Sequence, residues 1–329
     1  MAQLHTEINV EVTIGTDRYA IPMNLLPLPE IGPTSRDRTW RGRVQLHMAW
    51  YRSTQLGLEV GSTQFGKPSG VHLTEADGLR LLNLESDDAR RAYVTRHGQG
   101  WGLSPFQCQR SVGSSQAMML NLFAPLASDL PWLTNVIRDL LQLDGTAQGV
   151  HFEWAPTKRS LYLGDMTRVD ALIEWRTSSN QIGLIVCEFK LTDRYTRRVL
   201  PISETDAYRN LLRASGRWSH WPTEDRLNQL ARSHALAEAA SHRHGLFRSG
   251  TFPLLVLFHH KADAEASPLT ERYGEFLHDS CMTSVRQIAV EQLILASRLL
   301  AEQQQHQLMD RLAARYSQLE RSDYLVAVT

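Results

Sequence analysis

The chain has 329 residues, 42% hydrophobic and 21% charged, a composition that supports a buried core without disulfide help. Lys plus Arg (35) equals Asp plus Glu (35), which argues against tight non-specific nucleic-acid binding across the whole surface and leaves room for a local basic groove. Cys108, Cys187 and Cys281 form no CxxC pair, and none of the 13 histidines stands in an HExxH spacing, so neither a disulfide framework nor a zinc site is expected. The pairs His259–His260 and His242/His244 read as solvated or capping groups. MAQLHTEINVEV lacks a basic-then-apolar layout, and no run approaches bilayer-spanning length. A cytoplasmic protein without a membrane partner is the expectation.

In chain order, residues 7–14 (EINVEVTI) alternate as a strand with one buried face, and the proline-rich stretch 22–39 reads as a loop or extended arm. Trp40 to about Leu58 reads as a helix, and short helices follow within Leu73–Thr95. The run Gly98-Gln99-Gly100-Trp101-Gly102 marks a boundary, dividing an N-terminal segment (1–100) from the rest (101–329). After Gly113 comes a helix-rich run in which Pro125 and Pro131 are expected to separate two helices. Three strand-like segments follow: Val150–Trp154, Val169–Trp175 and Ile182–Lys190. IGLIVCEFK is apolar almost to its end, as in a strand buried on both faces. Helices over Ala207–Ser215 and Glu224–His242, a buried strand Phe252–His259 and a long helical tail from about Val285 to Arg321 complete the chain. The order predicts an α/β fold: a mixed central sheet flanked by helices, with an N-terminal extension and a long C-terminal helix.

The chemistry is concentrated in two of these strands. Asp170 opens VDALIEW after the turn-forming GDMTR, and Glu188 and Lys190 lie two apart in VCEFK, on one face of a strand. The short RTSSN connection suits an antiparallel hairpin, which would bring Asp170 to Glu188 across the ladder. Two carboxylates and a lysine converging at a strand end can hold a hard divalent cation and present a positive charge to a phosphate. An E-x-K triplet alone is common and more often an exposed strand end; the preceding Asp-bearing strand is what raises its significance.

Asp170 followed by GLIVCEFKLTD resembles the D…(D/E)XK signature of the PD-(D/E)XK nuclease superfamily. SSQAMMLNLFAPL, QLHMAWYRSTQLGLEVG and NQLARSHALAE are similar to segments of a bacterial restriction-endonuclease-like family, so the resemblance spans roughly residues 40 to 260. It implies a restriction-endonuclease-like core and metal-dependent hydrolysis of DNA phosphodiester bonds, with defence against foreign DNA as a biological context. Asp170, Glu188 and Lys190 become the catalytic residues. Asp170, Glu188 and the backbone carbonyl of Phe189 become ligands for Mg²⁺, with Mn²⁺ as an alternative. Gln229 matches a glutamine that contacts the site or the substrate. Many members carry an acidic residue on the helix before the sheet, where this chain offers Gln116 and Asn121; Glu153 is the candidate replacement.

Gln116, Gln229, Arg232, Arg194 and Arg197 are the candidate substrate-binding residues. Arg198 could grip phosphates with Arg194 and Arg197, and Arg209, Arg213 and Arg217 could extend that track along a helix; solvated cations are the plainer alternative for both groups, as are helix-end bridges for Gln116 and Asn121 and a solvated strand residue for Glu174. Trp218 and Trp221 suit base stacking or the core equally. DNA is the expected partner, with RNA left open. The C-terminal helical stretch suits packing in one chain or in a homodimer. The rival reading is a catalytically inactive nuclease-fold protein that binds nucleic acid or protein.

Overall fold

Nothing polar interrupts IGLIVC, and the chain places this segment at the centre of a sheet, where both of its faces are covered. A computed structural model describes residues 9–14, 17–22, 31–34, 39–100, 102–192 and 205–326. Two short antiparallel ladders come first, β1 (Asn9–Ile14) with β2 (Asp17–Pro22) and β3 (Gly61–Ser62) with β4 (Pro68–Ser69). The main sheet has the order β5 (Thr146–Trp154), β6 (Val169–Arg176), β7 (Ile182–Lys190), β8 (Leu254–His259), β9 (Val285–Ala289). The first three strands form an antiparallel meander, and β8 and β9 add in parallel.

Among the described residues the α-helices are α1 (Trp40–Thr54), α2 (Glu75–Leu79), α3 (Asp87–Gly98), α4 (Pro105–Arg110), α5 (Ser115–Ser128), α6 (Leu130–Leu141), α7 (Asp206–Ser215), α8 (Asn228–His244), α9 (Ala266–Gly274), α10 (Val290–Leu299), α11 (Gln303–Tyr316) and the short α12 (Asp323–Val326). Alternation along the strands separates two cores. Ala171, Ile173, Ile185, Cys187, Phe189, Val256 and Phe258 pack with α1, α3, α5, α6, α10 and α11. Leu172, Leu184, Val186, Leu255 and Leu257 pack against α7, α8 and α9. The described helices before residue 100 therefore share their core with the sheet. A parallel β7–β8 connection through α7 and α8 is the usual crossover geometry and places the α8 N-terminus beside the C-terminal end of β7.

Two expectations about helix limits are corrected. Pro125 lies inside α5, and the break falls at Asp129, whose side chain accepts from Trp132 N at 3.0 Å and caps α6. Pro131 sits in the first turn of α6, where a missing N–H disrupts no helical bond. The tail is not one long helix but β9, α10 and α11. Gln305 of the QQQ run accepts from Glu302 N at 2.7 Å, so the run starts α11 rather than occupying the middle of a helix. The Leu299 to Gln303 break lets α10 and α11 pack back on the first core.

Candidate active site at the end of the central strands

The site is a row of acids running across three neighbouring strands. Phe152 and Trp154 of β5 pair with Ala171 and Val169 of β6, which sets Glu153 opposite Asp170. Ala171 pairs with Cys187, so the same register sets Asp170 opposite Glu188. Adjacent strands lie about 4.8 Å apart, which brings three carboxyl groups into one neighbourhood. Lys190 lies two residues beyond Glu188 on the same face. Between them Phe189 points the other way and anchors the signature, packed on Phe258 (centroids 4.8 Å apart) and Phe123 (5.0 Å).

Every acid in the row has a fixed set of partners. Asp170 Oδ2 accepts from the backbone N–H of Phe189 at 2.7 Å, which ties the end of β6 to the signature itself. Glu188 is fully buried, and α8 grips both of its oxygens: Gln229 Nε2 donates to Oε2 (3.0 Å) and Ser233 Oγ to Oε1 (2.6 Å). Positions 229 and 233 are one helical turn apart and so share a face. Glu153 accepts from Gln116 Nε2 and pairs with Arg168 Nε at 3.2 Å.

Glu153 occupies the left-handed region, at φ +46°, which is unfavourable for a residue with a Cβ. Arg96 of α3 holds this distortion by donating to the carbonyls of Phe152 and Glu153, each at 2.8 Å. Gly102, at φ +115°, completes the clamp: a Cβ there would stand 2.9 Å from Arg96 Nη2 and 3.1 Å from Glu153 Cβ. Gln116 has its amide orientation fixed, since Oε1 accepts from Ser104 N (3.0 Å) while Nε2 faces the Glu153 carboxylate. A glutamate at 116 would set two anions in contact, so glutamine on the helix and glutamate on the strand belong together.

The charges of this row are under-compensated. Burial, then the Asp170 charge, pushes the Glu188 carboxyl up to about 8, against the opposing pull of Lys190 and the Ser233 bond. The same two causes, in the same order, push Glu153 up to about 7, with Arg168 opposing. A cation placed among these oxygens would relieve both the desolvation and the mutual repulsion, so the donor set fits a hard divalent ion. Among the described residues no group of three or more His, Cys, Asp or Glu side chains forms a metal cage by itself. Mg²⁺ needs none, since it usually keeps several waters beside one or two carboxylates.

Of the other candidate residues, Gln116 and Gln229 are brought to the acids. Arg232 instead donates to Thr167 Oγ1 (2.8 Å) and pairs with Asp165 (3.4 Å), clamping the turn that leads into Asp170, a turn also held by Tyr208 OH on Asp165 (2.6 Å). Arg194, Arg197 and Arg198 lie outside the described residues. Asn121 is buried as a bridge between Glu85 N, the Asn83 carbonyl and Tyr316 OH. Glu174 pairs with His151 at 3.0 Å on the surface. Arg217 is buried on Glu238, and Arg209 pairs with exposed Asp206.

Trp218 and Trp221 belong to the second core, where Trp218 donates to Tyr273 OH, so they are not a stacking platform. His259 and His260 are buried rather than solvated. Ser233, Arg168 and Arg96 were not singled out from the sequence. Only Ser233 carried a signal there, as the polar residue one turn after Gln229.

A family model described as the PD-(D/E)XK nuclease superfamily matches residues 35–318. No curated protein and no solved structure matches the chain. Among the described residues no helix is long and apolar enough to cross a membrane.

Proposed function

Because the chain belongs to the PD-(D/E)XK nuclease superfamily, we propose that it is a divalent-metal-dependent nuclease that hydrolyses DNA phosphodiester bonds. The observation that carries this reading is the row Glu153–Asp170–Glu188 with Lys190 on the same face of the sheet. Asp170 and Glu188 would hold the ion, with the Phe189 carbonyl and Glu153 completing its environment. A bound Mg²⁺ or Mn²⁺ supplies the charge that polarises water and offsets the negative charge on the scissile phosphate.

The chain's own groups do the rest. Gln229 and Ser233 fix the Glu188 carboxylate, and Phe189 N fixes that of Asp170, so neither acid reorients as charge develops. Lys190 brings a second positive charge to the phosphate and orients the attacking water. Burial on both faces of β7 keeps the signature rigid.

The test is cleavage of linear and circular DNA by purified protein with Mg²⁺, Mn²⁺ or EDTA, beside Lys190→Ala and Asp170→Asn. Metal-dependent cutting is expected to fall roughly 10²- to 10³-fold in both variants, on the scale of removing one charge-stabilising group. Cutting retained in both would remove the assignment. Folded wild type that cuts no DNA with either metal would favour the inactive, binding-only alternative, and cleavage confined to RNA would change the substrate class.

A further inference from the structure

Hydrolysis requires a group that takes the proton of the attacking water, and the acid row is poorly placed to provide it. Both oxygens of Glu188 already accept hydrogen bonds, from Gln229 and Ser233. Glu153 is engaged by Gln116 and Arg168, and Asp170 by Phe189 N. Lys190 as an ammonium has donors only. One more nitrogen lies on this face of the sheet.

In the parallel ladder of β7 and β8, Lys190 stands in register with His259. Leu255 and Leu257 of β8 project into the second core, so alternation puts His259 on the same face as Glu188 and Lys190. His259 Nδ1 lies 3.0 Å from the backbone carbonyl of His260. A carbonyl only accepts, so Nδ1 carries the hydrogen and the neutral ring has its lone pair on Nε2. The adjacent His260 has the opposite tautomer: its Nδ1 accepts from Ala262 N at 3.1 Å, leaving the hydrogen on Nε2, which faces Glu291 at 3.0 Å. Among the described residues, neither the Lys190 ammonium nor His259 Nε2 has a hydrogen-bond partner, yet both residues are only 8–9% exposed.

We propose that His259 is a further catalytic residue, with Nε2 facing the attacking water beside Lys190. This rests on the nuclease reading above. In the step, the water O–H bond breaks as its proton passes to Nε2, the oxygen forms the new bond to phosphorus, and the phosphorus–oxygen bond to the leaving alkoxide breaks. The imidazolium then returns the proton to the leaving oxygen or to solvent, so protons balance over a turnover. The His260 carbonyl holds the ring in the required tautomer, as an orienting acceptor does for a catalytic base.

The test uses the full chain with Mg²⁺ and His259→Asn, whose side-chain amide can keep the bond to the His260 carbonyl while removing Nε2. Expected are a kcat lowered by roughly 10²-fold or more with DNA affinity within about threefold of wild type, on the scale of a lost proton-transfer group. A second readout does not depend on turnover: ¹⁵N shifts of His259 in the metal-free protein should report the Nδ1–H tautomer. A kcat within about threefold of wild type, or a Nε2–H tautomer, would overturn the proposal while leaving the nuclease assignment in place. A wild type with no metal-dependent cutting would remove the nuclease reading and this role with it.

Discussion

Buried charge is handled in two different ways in this molecule. Under the first face of the sheet, Arg315 of α11 is fully buried against Glu85 at 2.9 Å, and it also donates to the carbonyls of Asn83 and Val112 and to Asn83 Oδ1. Tyr51 OH adds a second donor to Glu85 at 3.0 Å. Arg311, partly exposed, stands 3.6 Å from the other oxygen of Glu85, so this anion is more than matched, and every Arg315 guanidinium nitrogen except Nε has an acceptor. At the ends of the central strands three carboxyl groups stand together, and despite the nearby charges of Lys190, Arg168 and Arg96 two of the three are pushed well above the usual carboxylate range. The first arrangement is complete without a ligand. The second is complete only when something positive arrives, which separates a structural network from a binding site more clearly than burial does, since both are buried.

The contrast breaks most visibly by removing one partner from the complete network. Arg315→Met should leave the buried Glu85 with the more distant, partly exposed Arg311 as counter-charge and strand the Asn83 and Val112 acceptors, costing about 3 kcal/mol, read as a fall in denaturant midpoint. Metal should not restore it. An effect under about 1 kcal/mol would mean that the pair is as dispensable as a surface bridge.

Removing an acid from the row should do the reverse. The folded Glu188 carboxyl is raised from 4.5 to about 8, so folding takes up a proton in that window. Stability from this group is therefore full below about pH 4.5 and declines as pH rises toward 8. Glu188→Gln removes that decline, and Ser233 can turn its hydroxyl to suit the new amide. At pH 8 without metal the variant should be more stable than wild type by an amount of order 3 kcal/mol, with the difference vanishing near pH 4.5. Mg²⁺ at a hundred times its dissociation constant should add about 2.7 kcal/mol to wild type and little to the variant. Equal stability at pH 8 would show that the row is not under charge strain.

Much of this was legible in the sequence because it depends on strand alternation, a strictly local rule. The period of two put Glu188 and Lys190 on one face, and the short turn after Arg176 set Asp170 beside them. Asn121 carried no comparable signal; its partners, Asn83, Glu85 and Tyr316, are dispersed along the chain. The same holds for Arg168 and Arg96, whose roles depend on a left-handed Glu153 that no propensity rule foresees. The break in the trailing helical stretch is not legible, because a polar QQQ run reads as helix interior or helix start equally well. Only the Glu302–Gln305 bond decides between them.

The smallest effect is the most discriminating test of the acid row. Ser233 Oγ donates to Glu188 Oε1, and the worth of that bond depends on whether the acceptor is charged. Near pH 6 without metal, Glu188 is largely protonated, and Ser233→Ala should cost about 0.5–1.5 kcal/mol, the usual net worth of a neutral bond. Above about pH 9 the same carboxyl is ionised, and the cost should rise to roughly 1.5–3 kcal/mol. The penalty therefore grows with pH through the window in which Glu188 ionises, whereas a purely packing role for Ser233 would give a flat penalty. In Mg²⁺-loaded protein the acid is ionised at neutral pH, so the larger penalty should appear there and be accompanied by a modest loss of cleavage. Thermal or denaturant melts of wild type and variant at the two pH values are sufficient to decide, and a pH-independent difference would place Ser233 in the core rather than in the site.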